Sequence, residues 1–287
     1  MRVVILAFIL AGGLLAEPAK VDTSSPVGQA FVRLYNFDFG GAHTILDQQI
    51  RVEPNLSLPY SVKAAAHLFS ELHRLKILEM DFFADDERVI DRKKLTPDPK
   101  VRAEIFRLLD LARARANTRL SAQPYDREAL FTLCISAGVM TDYAALVERR
   151  RFGSIPLARQ AQVHANRLLA LDPPFYDAYL TSGAAEYVLG CLPFFIRWFI
   201  HIDGVEGSKQ KGMQNLGIVA QRGKYYGPFA RILLAVIHLR EARPQEAQGL
   251  LAGLASEYPE NPLIRRELAR VGEMARRSQG AANRNRP

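Results

Sequence analysis

A spacing pattern that recurs along the chain constrains its fold more than any other feature. A small residue is followed by an apolar residue or alanine four positions later, by another inward position three after that, and by a proline or turn five beyond. The unit appears as Ala42, Leu46, Gln49 and Pro54; as Ala112, Ala116, Arg119 and Pro124; and as Ala161, Ala165, Leu168 and Pro173. It recurs in a degraded form as Gly212, Leu216, Val219 and Lys224, and cleanly as Ala247, Leu251, Leu254 and Pro259. Positions four and then three apart fall on one face of a helix, and a small residue at the first lets a neighbouring helix come close. Proline then stops the helix, because its ring removes a backbone donor and clashes with the turn before it. The pattern therefore predicts serial helices that shield one another's apolar faces.

The last full unit carries the strongest family signal. In "ARILLAVIHLREARPQEAQGLLAGLASEYPEN", Ala235 precedes Ala247 by twelve residues and Pro259 closes the unit. This arrangement resembles the tetratricopeptide repeat superfamily, whose units are helix-turn-helix pairs of about 34 residues. The resemblance spans residues 26 to 275, although the prolines at 54, 124 and 173 are too widely spaced for ideal repeats. The stretch "LTSGAAEYVLGCLPFFIRWFIHIDGVEGSKQKGMQNLGIVAQRGKY" is similar to the eukaryotic tetratricopeptide repeat protein 39/Iml2 group and to uncharacterised bacterial exported repeat proteins. The resemblance implies a superhelical array and no activity.

The expected fold is thus all-α, a superhelical array of antiparallel helix pairs with about five degenerate repeats and a capping helix. The spacing predicts helices over 27–36 and 38–52, 58–82 and 99–121, 126–147 and 154–171, 175–190 and 207–222, and 227–240 and 243–257. A cap follows over 261–277. Residues 17–25 read as a linker, 26–277 as the repeat domain, and "SQGAANRNRP" from 278 to 287 as a disordered basic tail with nothing to bury.

The N-terminus adds a location. Met1 and Arg2 precede an apolar run from Val3 to Leu15 that exits at Ala16, the pattern of a secretory signal peptide over 1–16. Export to a periplasmic or extracellular compartment follows, with an uncleaved N-terminal anchor as the rival, since Leu14 sits where a small residue is preferred. Cys134 and Cys191 lie in separate apolar runs. They can bridge in an oxidising compartment, but two separate buried thiols is the favoured reading.

Charge and motifs narrow the function. The chain has 38 Lys+Arg against 30 Asp+Glu, a net +8, which favours acidic partners or an anionic membrane surface. The export pattern argues against nucleic acid. Arg102, Arg107, Arg113, Arg115 and Arg119 read as a solvated face. No glycine-rich phosphate loop, H-E-x-x-H, G-x-S-x-G or CxxC motif occurs. His67 and His73 are six apart, on different faces of one helix, and do not form a metal site with Glu71. No catalytic residue, metal or cofactor is expected.

Repeat arrays bind through the concave side built by the first helix of each pair. That geometry selects Tyr60 and Lys63, Asp142 and Tyr143, Tyr179 and Glu186, and Arg231 and His238 as candidate contacts to a protein or peptide. The segment "LPFFIRWFIHI" is the most unusual in the chain: Phe194, Phe195, Trp198 and Phe199 leave only Arg197 and His201 polar. It predicts a helix that seals the core, lines a groove or lies on a membrane. The expected function is a non-catalytic exported scaffold. Its alternatives are peripheral membrane attachment through 193–202, and a small-ligand-binding protein or enzyme using a groove beside Glu186 and His201.

Overall fold

In the computed structural model, residues 18–78, 95–150, 152–193 and 200–284 are described. Eleven α-helices run through them: α1 (Pro26–Tyr35), α2 (Phe39–Val52), α3 (Leu58–Arg74), α4 (Pro99–Ala122), α5 (Arg127–Asp142), α6 (Ile155–Leu169), α7 (Tyr179–Gly190), α8 (Lys209–Arg222), α9 (Gly227–Arg240), α10 (Pro244–Glu257) and α11 (Pro262–Arg284). A π-turn, Tyr143–Val147, extends α5. No strand occurs among the described residues, only an isolated bridge between Ile202 and Val205. Each helix packs against the next in sequence, except that α1 also meets α3, and α3 meets α5.

Local chemistry explains the boundaries. Ser25, Asp38, Asp98, Asp126 and Ser208 each accept a backbone N–H from the first turn of the helix they precede. Pro26, Pro99, Pro244 and Pro262 occupy first helical positions, where the missing donor costs nothing. Pro54, Pro124, Pro173 and Pro259 fall in the turns α2–α3, α4–α5, α6–α7 and α10–α11.

The repeat positions are internal with two exceptions. Ala42, Leu46, Ala112, Ala116, Ala161, Ala165, Leu216, Ala247 and Leu251 are buried, as are the third-position residues Leu168, Val219 and Leu254. Gln49 is half-buried, and Arg119 is exposed and paired with Asp126 at 2.8 Å. The first two units therefore keep an inward face of only two residues. At the degraded fourth unit, Gly183 of α7 and Gly212 of α8 let two backbones touch: a Cβ on Gly212 would lie 2.7 Å from the Tyr187 nitrogen and 2.8 Å from the Gly183 oxygen.

Four expectations change. Residues 18–25 are docked, with Ala19 and Asp22 N–H groups donating to the carbonyls of Ala220 and Lys224 at 2.9 Å each. The α3 helix ends at Arg74 because Lys76 adopts a left-handed conformation after it. The α7 helix starts at Tyr179, behind a short 3-10 turn. The α11 helix continues to Arg284, past the expected end at 277. The N-terminal apolar run and residues 285–287 lie outside the described residues.

The first helix meets the α10–α11 turn. Asn261, which caps α11, donates from Nδ2 to the Tyr35 carbonyl at 2.7 Å. The Tyr35 hydroxyl donates to the Tyr225 carbonyl at 3.0 Å, and its ring lies 5.3 Å from that of Tyr258. Phe31 stacks on Tyr225 at 5.1 Å, and Tyr225 lies 5.8 Å from Phe131 of α5. Helices α1, α5 and the start of α9 thus share one aromatic core.

Candidate binding cavity

The odd-numbered helices converge on an apolar cavity of about 200 Å³. Phe31 and Leu34 of α1, Val62 and Phe69 of α3, Ile135 and Val139 of α5, Leu180 of α7, Phe229 and Ile232 of α9, and Ile264 of α11 form its wall. Even-numbered helices contribute only Phe39, the first residue of α2, and Leu251 of α10. An engineered cavity of about 150 Å³ holds a benzene ring, so this one has room for a small apolar molecule. At Gly138 of α5 the wall is set back, and a Cβ there would meet nothing within 4 Å.

Most polar groups at the wall are already engaged. Asn261 is used by its cap and by Tyr35. Glu267 is paired with Arg270 at 2.7 Å. The Thr181 hydroxyl lies 3.4 Å from the Cys134 sulfur. Burial pushes the Cys134 thiol up to about 11, which makes it inert as a nucleophile. Cys134 and Cys191 are both free thiols.

Asp142 differs. It borders the cavity but is exposed, and no hydrogen bond or ion pair reaches its carboxyl from the described residues. The protein packed around it pushes that carboxyl from 3.8 up to about 7 by partial desolvation. Tyr226, at the entry to α9, also lines the cavity, its ring packed against Phe31 and Phe131. Burial, then the neighbouring Cys134, Asp177 and Asp142, push this phenol well above its ordinary value.

Of the eight candidate contacts, Asp142 alone lines the cavity. Tyr60 is buried, donates to the Pro54 carbonyl at 3.0 Å and carries the Arg115 guanidinium over its ring at 4.3 Å. Lys63 is tied to Asp47 at 2.5 Å. Tyr143 packs on Phe106 with its hydroxyl buried and unpaired. Tyr179 packs half-buried against the α7–α9 core. Arg231 is 4% exposed and bound to Glu257 at 2.5 Å, and His238 is half-buried, with its pKa lowered by burial.

Glu186 is fully buried and accepts the N–H groups of Glu206, Gly207 and Ser208 at 3.2, 2.8 and 2.9 Å, with Lys211 at 3.0 Å. Its carboxylate holds a loop, and neither it nor the exposed His201 borders the cavity. Phe194, Phe195, Trp198 and Phe199 lie outside the described residues. So does the body of the 193–202 helix expected for membrane contact.

The arginines expected to be solvated are largely acid-paired. Arg102 meets Glu148 at 2.9 Å, Arg107 meets Glu104 at 2.7 Å and Arg113 meets Asp110 at 3.7 Å. His43 and His67 stack at 4.2 Å, and burial drives His67 down to about 4. No group of three metal-ligating side chains occurs among the described residues. The stretch Arg127–Val147 is long and apolar enough to cross a membrane, but 67% of its most apolar window is buried inside the protein.

No protein-family model matches the chain, and no curated protein matches it.

Gly138 and Tyr226 were not legible as site residues in the sequence. Gly138 is a lone glycine in the apolar run "LCISAGVM", and a glycine that lowers helix propensity by about 1 kcal/mol without capping anything is the one available signal.

Proposed function

We propose that this protein is an exported, non-catalytic binding protein of the tetratricopeptide type, a curled superhelical array of helix pairs that encloses a small apolar ligand. The observation that carries it is the convergence of the odd-numbered helices on one apolar cavity. Alternation of inner and outer helices is what an array of pairs produces. The contacts of α1 with Tyr225, Tyr258 and Asn261 favour a small ligand over an extended peptide. They occupy ground that an open concave face would offer to a partner chain. The signal-like run from Met1 to Ala16 supports export.

The test uses the full chain and prodan, a neutral polarity-sensitive dye. Saturable binding with blue-shifted emission is expected, and Gly138→Leu, which fills the recess in the wall, is expected to abolish it while the helical circular dichroism persists. Absence of saturable binding, or binding unchanged in Gly138→Leu, would overturn the proposal.

A further inference from the structure

Three of the six histidines gather on the seam between α2 and α3. His43 and Asp47 stand one turn apart on α2, and Lys63 and His67 stand one turn apart on α3, so each pair shares a helix face. The crossing brings the two faces together. Lys63 Nζ donates to Asp47 Oδ1 at 2.5 Å, and the His43 and His67 rings stack with centroids 4.2 Å apart. Just before α2, Phe37 meets the His73 ring edge-on at 4.9 Å.

The stack is built for neutral rings. His43 Nδ1 is buried and has no hydrogen-bond partner among the described residues. A protonated imidazole carries an N–H on both nitrogens, so a charged His43 buries a donor without an acceptor. Protonating both rings also sets two like charges 4.2 Å apart. The charged groups acting on the pair are Lys63 of α3, Asp47 of α2 and Glu104 of α4. Lys63 adds to the repulsion, Asp47 already serves Lys63, and Glu104 already serves Arg107 at 2.7 Å. His164 and His238 are half-buried with an unpartnered Nδ1 as well, but among the described residues only His43 and His67 stack on one another.

We propose that the stacked His43–His67 pair is an acid-operated latch on the α1–α2 hairpin: protonation of the rings loosens α2 from α3 and parts the cavity wall along that seam. The latch is independent of what the cavity holds, and only its effect on a ligand rests on the small-ligand reading above.

The seam joins two parts of the wall. The α1 helix, the turn after it and the first residue of α2 bring Phe31, Leu34, Phe37 and Phe39 to the cavity, and α3 brings Val62 and Phe69. On its other side α1 is held by the Tyr35 hydroxyl on the Tyr225 carbonyl and by the Asn261 amide on the Tyr35 carbonyl. An amide does not titrate, and burial pushes the Tyr35 phenol upward, so neither contact gains charge on mild acidification. Acid therefore acts on the α2 side of the hairpin and spares its α1 side.

The direction follows from linkage. Burial is the first cause that lowers both imidazoles, His67 from 6.5 to about 4. The seam's stability from this pair is complete above about pH 6.5 and is lost as pH falls toward about 4.

Hydrogen exchange of the full chain decides the matter. Protection factors of the α2 amides, taken relative to those of α8, should fall at least about tenfold between about pH 7 and about pH 5. His43→Phe and His67→Phe each keep a ring in the stack and remove one proton site, so each should show a smaller fall and the double variant none. A ratio that holds steady in the parent, or that falls as far in both single variants, would overturn the latch; the single variants carry the test if the double variant does not fold. Bound prodan should leave the parent faster at the lower pH, and equal release rates would overturn the parting of the wall. Failure of prodan to bind at all would overturn the small-ligand reading alone, since the exchange measurement needs no ligand.

Discussion

Asp142 and Asp177 are both carboxyls near the Tyr225–Tyr226 segment, yet Asp142 is exposed and Asp177 is buried. Asp177, in the turn before α7, is 1% exposed and accepts the N–H groups of Lys224, Tyr225 and Tyr226 at 2.7, 2.8 and 2.6 Å. Those bonds fix the turn that enters α9. Asp142, one helix pair earlier, is exposed, borders the cavity and meets no donor among the described residues. A buried carboxylate saturated with donors acts as a joint between helix pairs.

Glu71 and Glu186 belong with Asp177. Glu71 accepts from Arg74 twice at 2.7 Å and from the Asp98 N–H at 2.8 Å. The Arg74 hydrogen bonds are the chief reason its carboxyl stays below the ordinary range. For Glu186, burial pushes upward, but Ser208, Lys211, Glu206 and Gly207 outweigh it. Each joint stitches a helix to a loop distant in sequence.

The largest effect should come from breaking a joint. Asp177→Ala leaves three buried N–H groups without an acceptor and should cost about 3–5 kcal/mol, the range for unpairing a buried charged network, measured by urea denaturation. A loss under about 1 kcal/mol would erase the contrast with Asp142. Next, Gly212→Ala forces α7 and α8 apart, since the added Cβ meets backbone on both sides. It should cost about 1–3 kcal/mol, and an unchanged denaturation midpoint would show that the crossing is slack.

The cavity side should respond with the opposite sign. Gly138→Leu fills open space and replaces a helical glycine, for a gain of about 1 kcal/mol read in the same denaturation curves. Net destabilisation would mean that the recess in the α5 wall is not open.

Asp142→Asn gives the smallest change and the clearest pH signature. The folded carboxyl titrates at about 7, above its ordinary 3.8, so the folded state holds that proton more tightly than the unfolded state does. Stability from this group is complete below about pH 4 and is lost as pH rises through about 7. The asparagine variant should match the parent at pH 4 and exceed it at pH 8. The exposure of the carboxyl discounts the gain to a Tm rise of about 2–4 °C. Equal Tm values at both pH values would place the carboxyl in ordinary solvent.

Several of these features were open to sequence reasoning. The spaced small residues and the turn prolines located the helices to within a few residues at most ends, because helix periodicity and proline's missing donor act over one or two turns of chain. Asp142 was among the concave-face candidates on the same grounds. What the other candidates meet was not legible: Tyr60, Lys63, Glu186 and Arg231 each find a partner that is distant in sequence or in a neighbouring turn. Periodicity shows which face a residue occupies, and nothing about what stands opposite.

The sequence by itself determined that the chain is helical, where its helices begin and stop, and which small residues let neighbours approach, all of which follow from backbone sterics and capping within a few residues. Only the tertiary structure decided that α1 returns to the α10–α11 turn, that residues 18–25 strap onto α8, and that Asp142 keeps an empty space before it while Asp177 does not. Those outcomes depend on how small angular offsets accumulate over eleven packed helices, and no short window of sequence contains that sum.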